Sequence, residues 1–105
     1  MVTVGLTRGP DGQPWKLRVS GHAGQGAYGE DIVCAAVSAL VETLSLGLAR
    51  VVHEPAGGQV EPGNAEFLFH QPMGAETRAV VETILVGLKD LAASEPQAVR
   101  YQEQN

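Results

Sequence analysis

Apolar positions divide the chain into segments of two periods. Val2, Val4 and Leu6 alternate with Thr3, Gly5 and Thr7, and Trp15, Leu17 and Val19 alternate with Lys16, Arg18 and Ser20. Period two is that of a strand covered on one face. Between these runs lies Gly9-Pro-Asp-Gly-Gln-Pro14, where proline fixes φ and glycine turns freely, so residues 1–22 read as a hairpin. The period then changes: Ile32, Val33, Ala36, Val37, Leu40, Leu44 and Leu48 recur every three or four residues, which predicts a helix over 31–52. Glu30 and Asp31 complement the positive end of that helix, and His53-Glu-Pro-Ala-Gly-Gly58 ends it. Residues 58–71 form a strand region whose clear part is Glu66-Phe-Leu-Phe-His-Gln71, before Pro72. Val80, Val81, Ile84, Leu85, Leu88 and Leu91 mark a second helix over 74–94, with Glu76, Arg78, Glu82 and Lys89 on its other side. Pro96 stops it, and residues 98–102 pair as an edge strand.

The order ββαβαβ, with room for one extra strand, predicts a fold of α/β (α+β) type. Its two layers are two helices packed on one face of a four- to five-stranded, mostly antiparallel sheet. At 105 residues this is a single domain, 1–105. Gly47 and Gly87 fall in mid-helix; either they let the two helices approach closely or they only weaken them, at ~1 kcal/mol each. The second sheet face has no helical layer left to cover it, and self-association is one solution.

Composition removes several function classes. Hydrophobic residues at 44% and charged residues at 18% are those of a soluble globular protein. A net charge of -5, with seven Lys plus Arg spread singly, leaves no basic stripe for a phosphate backbone, so direct nucleic-acid binding is not expected. The first residues lack the pattern of a secretory signal, and no window reads as a membrane span. The expected location is cytoplasmic, where the one cysteine, Cys34, stays a free thiol.

Candidate chemistry centres on that thiol. His22 falls where the hairpin's second strand runs out and Cys34 falls in the first turn of the first helix. A loop, 21–30, with glycines at 21, 24, 26 and 29 joins them. Glycine loses more backbone entropy on ordering than any other residue, which favours a mobile loop. The thiolate is the reactive form of cysteine, and both a helix N-terminus and a histidine that accepts the proton favour it. The negative charges of Glu30 and Asp31 oppose it, unless Asp31 is turned toward His22 and orients it. Ser38 lies one turn beyond Cys34 on the same face. The plainer alternative has Cys34 filling space in a helix and His22 as a surface residue. Gly24-x-Gly26-x-x-Gly29 also fits a dinucleotide-binding turn, but Glu30 and Asp31 would repel a pyrophosphate and no βαβ unit surrounds it. No Cys or His pair stands at ligand spacing, so neither a metal nor a cofactor is expected. His53 and His70 carry no chemical context.

Gly21-His22-Ala23, a glycine-rich spacer ending Tyr28-Gly29, and then Asp31-Ile-Val-Cys34-Ala-Ala-Val-Ser38 resemble the signature of the bacterial ribosomal-processing cysteine proteases. Length, element order and Leu85-Val-Gly-Leu88 extend the resemblance along the chain with less specificity. It implies a cysteine peptidase that removes the N-terminal extension of a large-subunit ribosomal protein, cutting after an aromatic residue. By matching positions Cys34 is the nucleophile and His22 the base, with Asp31 and Ser38 as orienting or supporting residues. Gly21, Ala23, Gly24, Gly26, Tyr28 and Gly29 would form a mobile substrate loop, and the resemblance also implies a homodimer. The competing class is a non-catalytic ribosome-associated or assembly module with a structural Cys34.

Overall fold

The computed structural model describes residues 1–21 and 28–105, with side chains for 1–21 and 32–105. The hairpin is β1 (Val2–Arg8) and β2 (Pro14–Ser20). It is followed by α1 (Tyr28–Arg50), β3 (Gly57–Glu61), β4 (Asn64–Leu68), α2 (Ala75–Ser94) and β5 (Val99–Gln104). The order is therefore ββαββαβ, the extra strand being β3. One sheet forms in the order β3-β4-β2-β1-β5. All its pairings are antiparallel except that of β1 with β5, which is parallel.

Register puts the apolar alternation on a single face except at Trp15, which lies beside the register shift at Thr7/Arg8 and is exposed. Val4 lies opposite Val19 and Leu6 opposite Leu17, while Leu17 and Val19 lie opposite Phe67 and Ala65. All of these are buried, together with Val33, Val37, Val41, Leu44 and Leu48 of α1 and Val81, Ile84, Leu85 and Leu88 of α2. Both helices thus share that face. By the same alternation the other face carries Thr3, Lys16, Arg18, Ser20, Glu66, Arg100 and Gln102. It is polar apart from exposed Leu68, and it does not need the helical cover that element counting alone suggests.

Several boundaries differ from the periodicity. The strand expected at 66–71 is laddered only over Asn64–Leu68, although Phe69 is buried and its N–H donates to the Trp15 carbonyl at 2.9 Å. α1 begins at Tyr28, so Tyr28, Gly29 and Glu30, assigned to the loop by sequence, are helical. Its end is set by His53, whose φ of +53° breaks the helix, and by the Glu54 N–H, which donates back to the Leu48 carbonyl at 2.7 Å. Ile32 is 54% exposed while Val41 is buried, the reverse of the expected inner face. The cause is that α1 is apolar nearly all round. Over Ile32–Arg50 its mean hydropathy is 2.0, long and apolar enough by length and composition to cross a membrane, contrary to the expectation that no window would be. Here its inner stripe packs on the sheet, and the excess hydropathy comes from alanines and from exposed Ile32 and Leu46. At Gly47 a Cβ would stand 3.2 Å from Val80 Cγ1, and at Gly87 one would stand 3.4 Å from Leu40 Cδ2. The two glycines therefore receive side chains of the facing helix.

An ion cluster ties the far end of β1 to α2 and β5. The Arg8 guanidinium donates to both Glu82 carboxylate oxygens at 2.9 and 3.0 Å and to Glu103 Oε1 at 3.0 Å. Arg78 adds a longer contact to Glu82 at 3.4 Å. The hydrogen bonds from Arg8 hold both carboxyls below the usual range, Glu103 at about 2. Tyr101 is pushed upward, first by burial and then by its hydroxyl's bond to Glu103 at 2.7 Å.

Candidate active site

Cys34 is the seventh residue of α1. It therefore sits in the second turn, not the first, where the helix dipole and the unpaired N–H groups act only weakly. The thiol is half-buried, packed on one side against the core cluster. On its other side a cavity of about 300 Å³ opens. Ser38 and Glu42, each one turn further along α1, line the same cavity. Its opposite wall is the turn joining β3 and β4, Glu61-Pro62-Gly63, with Val60 beside it.

Gly21 also lines this cavity. Its backbone is at φ +91°, and a Cβ there would collide with the Met1 carbonyl oxygen, so only glycine fits where β2 leaves the sheet. The Gly21 N–H donates to the Gly63 carbonyl at 3.0 Å, tying the end of the hairpin to the β3–β4 turn. Of the residues singled out by sequence, the structure brings Gly21, Cys34 and Ser38 to one cavity. His22, Ala23, Gly24 and Gly26 lie outside the described residues, as do the side chains of Tyr28 and Asp31. His53 and His70 are exposed, and neither lines the cavity.

Among the described residues the charged side chains lining the cavity are both carboxylates, Glu42 and Glu61. They set a negative potential that suits a cationic ligand. Sequence reasoning passed over them, although Glu42 continues the i, i+4 spacing of Cys34 and Ser38. Glu61 and Val60 carried no such signal. Among the described residues no group of three or more His, Cys, Asp or Glu side chains is arranged to hold a metal ion. The strongly shifted titrations belong to the Arg8 cluster at the other end of β1, which at ~3.3 Å per residue is about 20 Å from Val2 at the cavity. They have no part in the site.

The described part of the cavity thus brings one half-buried thiol, two carboxylates and the β3–β4 turn together. The chain belongs to the cysteine protease Prp family, whose model matches residues 1–100. It is 26% identical over 102 residues to the ribosomal processing cysteine protease Prp of Staphylococcus aureus, covering 95% of this chain and 96% of the relative. The crystal structure of the S. aureus protease in complex with a covalently linked product peptide superposes with a TM-score of 0.89 at 25% identity, over 98% of this chain and 99% of that one. A Streptococcus mutans crystal structure also gives 0.89, at 27% identity, over 100% and 96% of the two chains. Like its family, this protein is a cysteine protease.

Proposed function

We propose that this protease cleaves the N-terminal extension of a large-subunit ribosomal protein, with Cys34 as nucleophile and His22 as general base. The observation that carries the assignment is that Cys34 and Gly21, the residue before His22 in sequence, line one cavity. The S. aureus relative, a ribosomal processing cysteine protease, supports the substrate class. The Cys34 thiolate attacks the scissile carbonyl carbon, and the imidazolium of His22 gives its proton to the departing amine, leaving a thioester on Sγ. Water, deprotonated by His22, then hydrolyses the thioester and regenerates the thiol. Asp31 orients His22 and Ser38 supports the pocket. Gly21, Ala23, Gly24, Gly26, Tyr28 and Gly29 contact the peptide. The carboxylates of Glu42 and Glu61 suit a substrate drawn from a basic protein.

The protease acts in the cytoplasm, where ribosomes are assembled, and as a homodimer. Self-association has support in large apolar side chains exposed on and beside the helices, Ile32 at 54%, Val51 at 69% and Val86 at 67%. Sedimentation showing only monomer at working concentration would remove that part. The assembly-module alternative, with a purely structural Cys34, is not favoured, since the thiol opens onto a cavity. Mass spectrometry of a peptide spanning the extension and the first mature residues tests the whole reading. One defined cut is expected from the wild type and none from Cys34→Ala. His22→Ala should lower turnover by about 10²–10⁴. A wild-type protein that leaves the peptide intact, or a Cys34→Ala variant that cuts it, refutes the assignment.

A further inference from the structure

Seven Lys and Arg residues stand singly along the sequence, but the register of the sheet gathers three of them. On the face turned away from the helices, β2 presents Lys16 and Arg18 and β5 presents Arg100, with the neutral Thr3, Gly5 and Thr7 of β1 between them. All three cations are exposed, and these three strands bring no acid to that face. Glu66 of the neighbouring β4 stands opposite Arg18 and reaches Lys16 only at 3.8 Å. Among the described residues Arg18 and Arg100 make no ion pair. Much of the acid behind the net charge of -5 lies on the helices instead, at Glu42, Glu76, Glu82 and Asp90. Between Arg18 and Gln102, Gly5 leaves a gap in which a Cβ would meet nothing within 4 Å. A hollow of about 350 Å³ opens there, bordered by Gln102 and Gln104. Glu103 also borders it, but Arg8 and Lys89 hold that carboxylate.

An arginine without an ion-pair partner is a planar, always charged fork that matches phosphate oxygens. Hydroxyl and carboxamide groups such as those of Thr3, Thr7, Gln102 and Gln104 also bond to phosphate. We infer that the outer face of β2, β1 and β5 binds the phosphate backbone of a single-stranded nucleic acid. Arg18, Arg100 and Lys16 take the phosphates, and the gap at Gly5 lets the strand approach the sheet. With ~4.8 Å between strands and ~3.4 Å per residue, the Cα atoms of Arg18 and Arg100 stand about 12 Å apart, so they reach different phosphates. An acidic polypeptide fits less well. β1 and β2 are paired on both sides, so this face offers side-chain donors and no free backbone ladder for a peptide to join. Contacts to the backbone carry no sequence information, and three of them place the dissociation constant at the weak end of non-specific binding, roughly 10⁻⁴ M at physiological salt. The acids of the helical layer lie behind the sheet, and salt screens charges beyond ~10 Å at 0.1 M.

The test is fluorescence anisotropy of a short fluorescein-labelled oligouridylate titrated with the protein from low salt upward. The binding constant should fall with salt on a log–log slope of about −2, the value for three phosphate contacts on a single strand. Arg18→Gln combined with Arg100→Gln should lower affinity about tenfold or more and bring the slope to a magnitude below about 1, at unchanged Tm. Gly5→Val fills the gap without a clash and should weaken binding several-fold while Tm stays the same or rises. Arg50→Gln, in the last turn of α1, should leave affinity unchanged. Absence of wild-type binding at low salt, binding that survives loss of both arginines, or equal affinity for polyglutamate in competition would each overturn the proposal.

Discussion

Replacing Arg8 with methionine keeps much of the apolar stem and removes the guanidinium that joins β1, α2 and β5. Four contacts of 2.9 to 3.0 Å are lost, two to Glu82, one to Glu103 and one to the Gly12 carbonyl. The two carboxylates then remain near each other with Arg78 and Lys89 as weaker cationic partners and the Tyr101 hydroxyl on Glu103. Hydrogen bonds to charged groups contribute about 1.5–3 kcal/mol each. With side chains 20% to 31% exposed, and one cation serving two anions, solvent screening reduces the sum to about 2–3 kcal/mol. The pH dependence follows from the direction of the shifts. Glu82 and Glu103 have folded pKa values below the ordinary 4.5, Glu103 at about 2. Their contribution is therefore complete above the ordinary value and is lost as pH falls through the folded one. Urea denaturation of wild type and Arg8→Met at neutral pH should differ by about 2–3 kcal/mol, and the difference should shrink between pH 4.5 and about 2. A variant within about 0.5 kcal/mol of wild type at neutral pH, or a gap unchanged at about pH 2, would refute the reasoning.

Further consequences can be checked singly. Gly58→Ala should destabilise by about 2 kcal/mol or more, read from Tm, because φ is +92° and a Cβ would collide with the Glu66 carbonyl oxygen. Gly87→Ala should stabilise by up to about 1 kcal/mol, since its Cβ meets Leu40 at ordinary contact distance, whereas the tighter fit at Gly47 should cancel most of the same propensity gain. Leu44→Ala, at a fully buried position, should cost about 2–5 kcal/mol in chemical denaturation. Exchanging Glu42 and Glu61 for lysine should raise KM for a lysine-containing peptide and flatten the fall of kcat/KM with ionic strength.

What the sequence revealed, and what it hid, follows from how local each determinant is. The hairpin was legible because alternation and the Gly9 to Pro14 turn both act within a few residues, while the register shift that exposes Trp15 was not. β3 was legible only as an optional, less regular strand, because Gly57-Gly58-Gln59-Val60-Glu61 has no buried face at all. It is a strand through its pairing with β4 and the close approach at Gly58. The inner face of α1 was misassigned at Ile32 and Val41 because a helix apolar on most sides gives periodicity little contrast. That Cys34 and Ser38 share one helix face was legible from their spacing. The β3–β4 turn across the cavity from them is brought there by strand pairing, which no local pattern records.

The parallel pairing of β5 with β1 has a consequence for biosynthesis. Thr3 aligns with Arg100 and Gly5 with Gln102, so nearly the whole chain lies between the two partners. A polypeptide made from its amino end exposes the second edge of β1 until β5 is made and free to pair. The hairpin and α1 can dock early, but Val2 and Val4 lack a neighbour on that flank until then. Closing the sheet therefore waits on synthesis of β5, and a translation product arrested before β5 should be an aggregation-prone intermediate rather than a shortened enzyme.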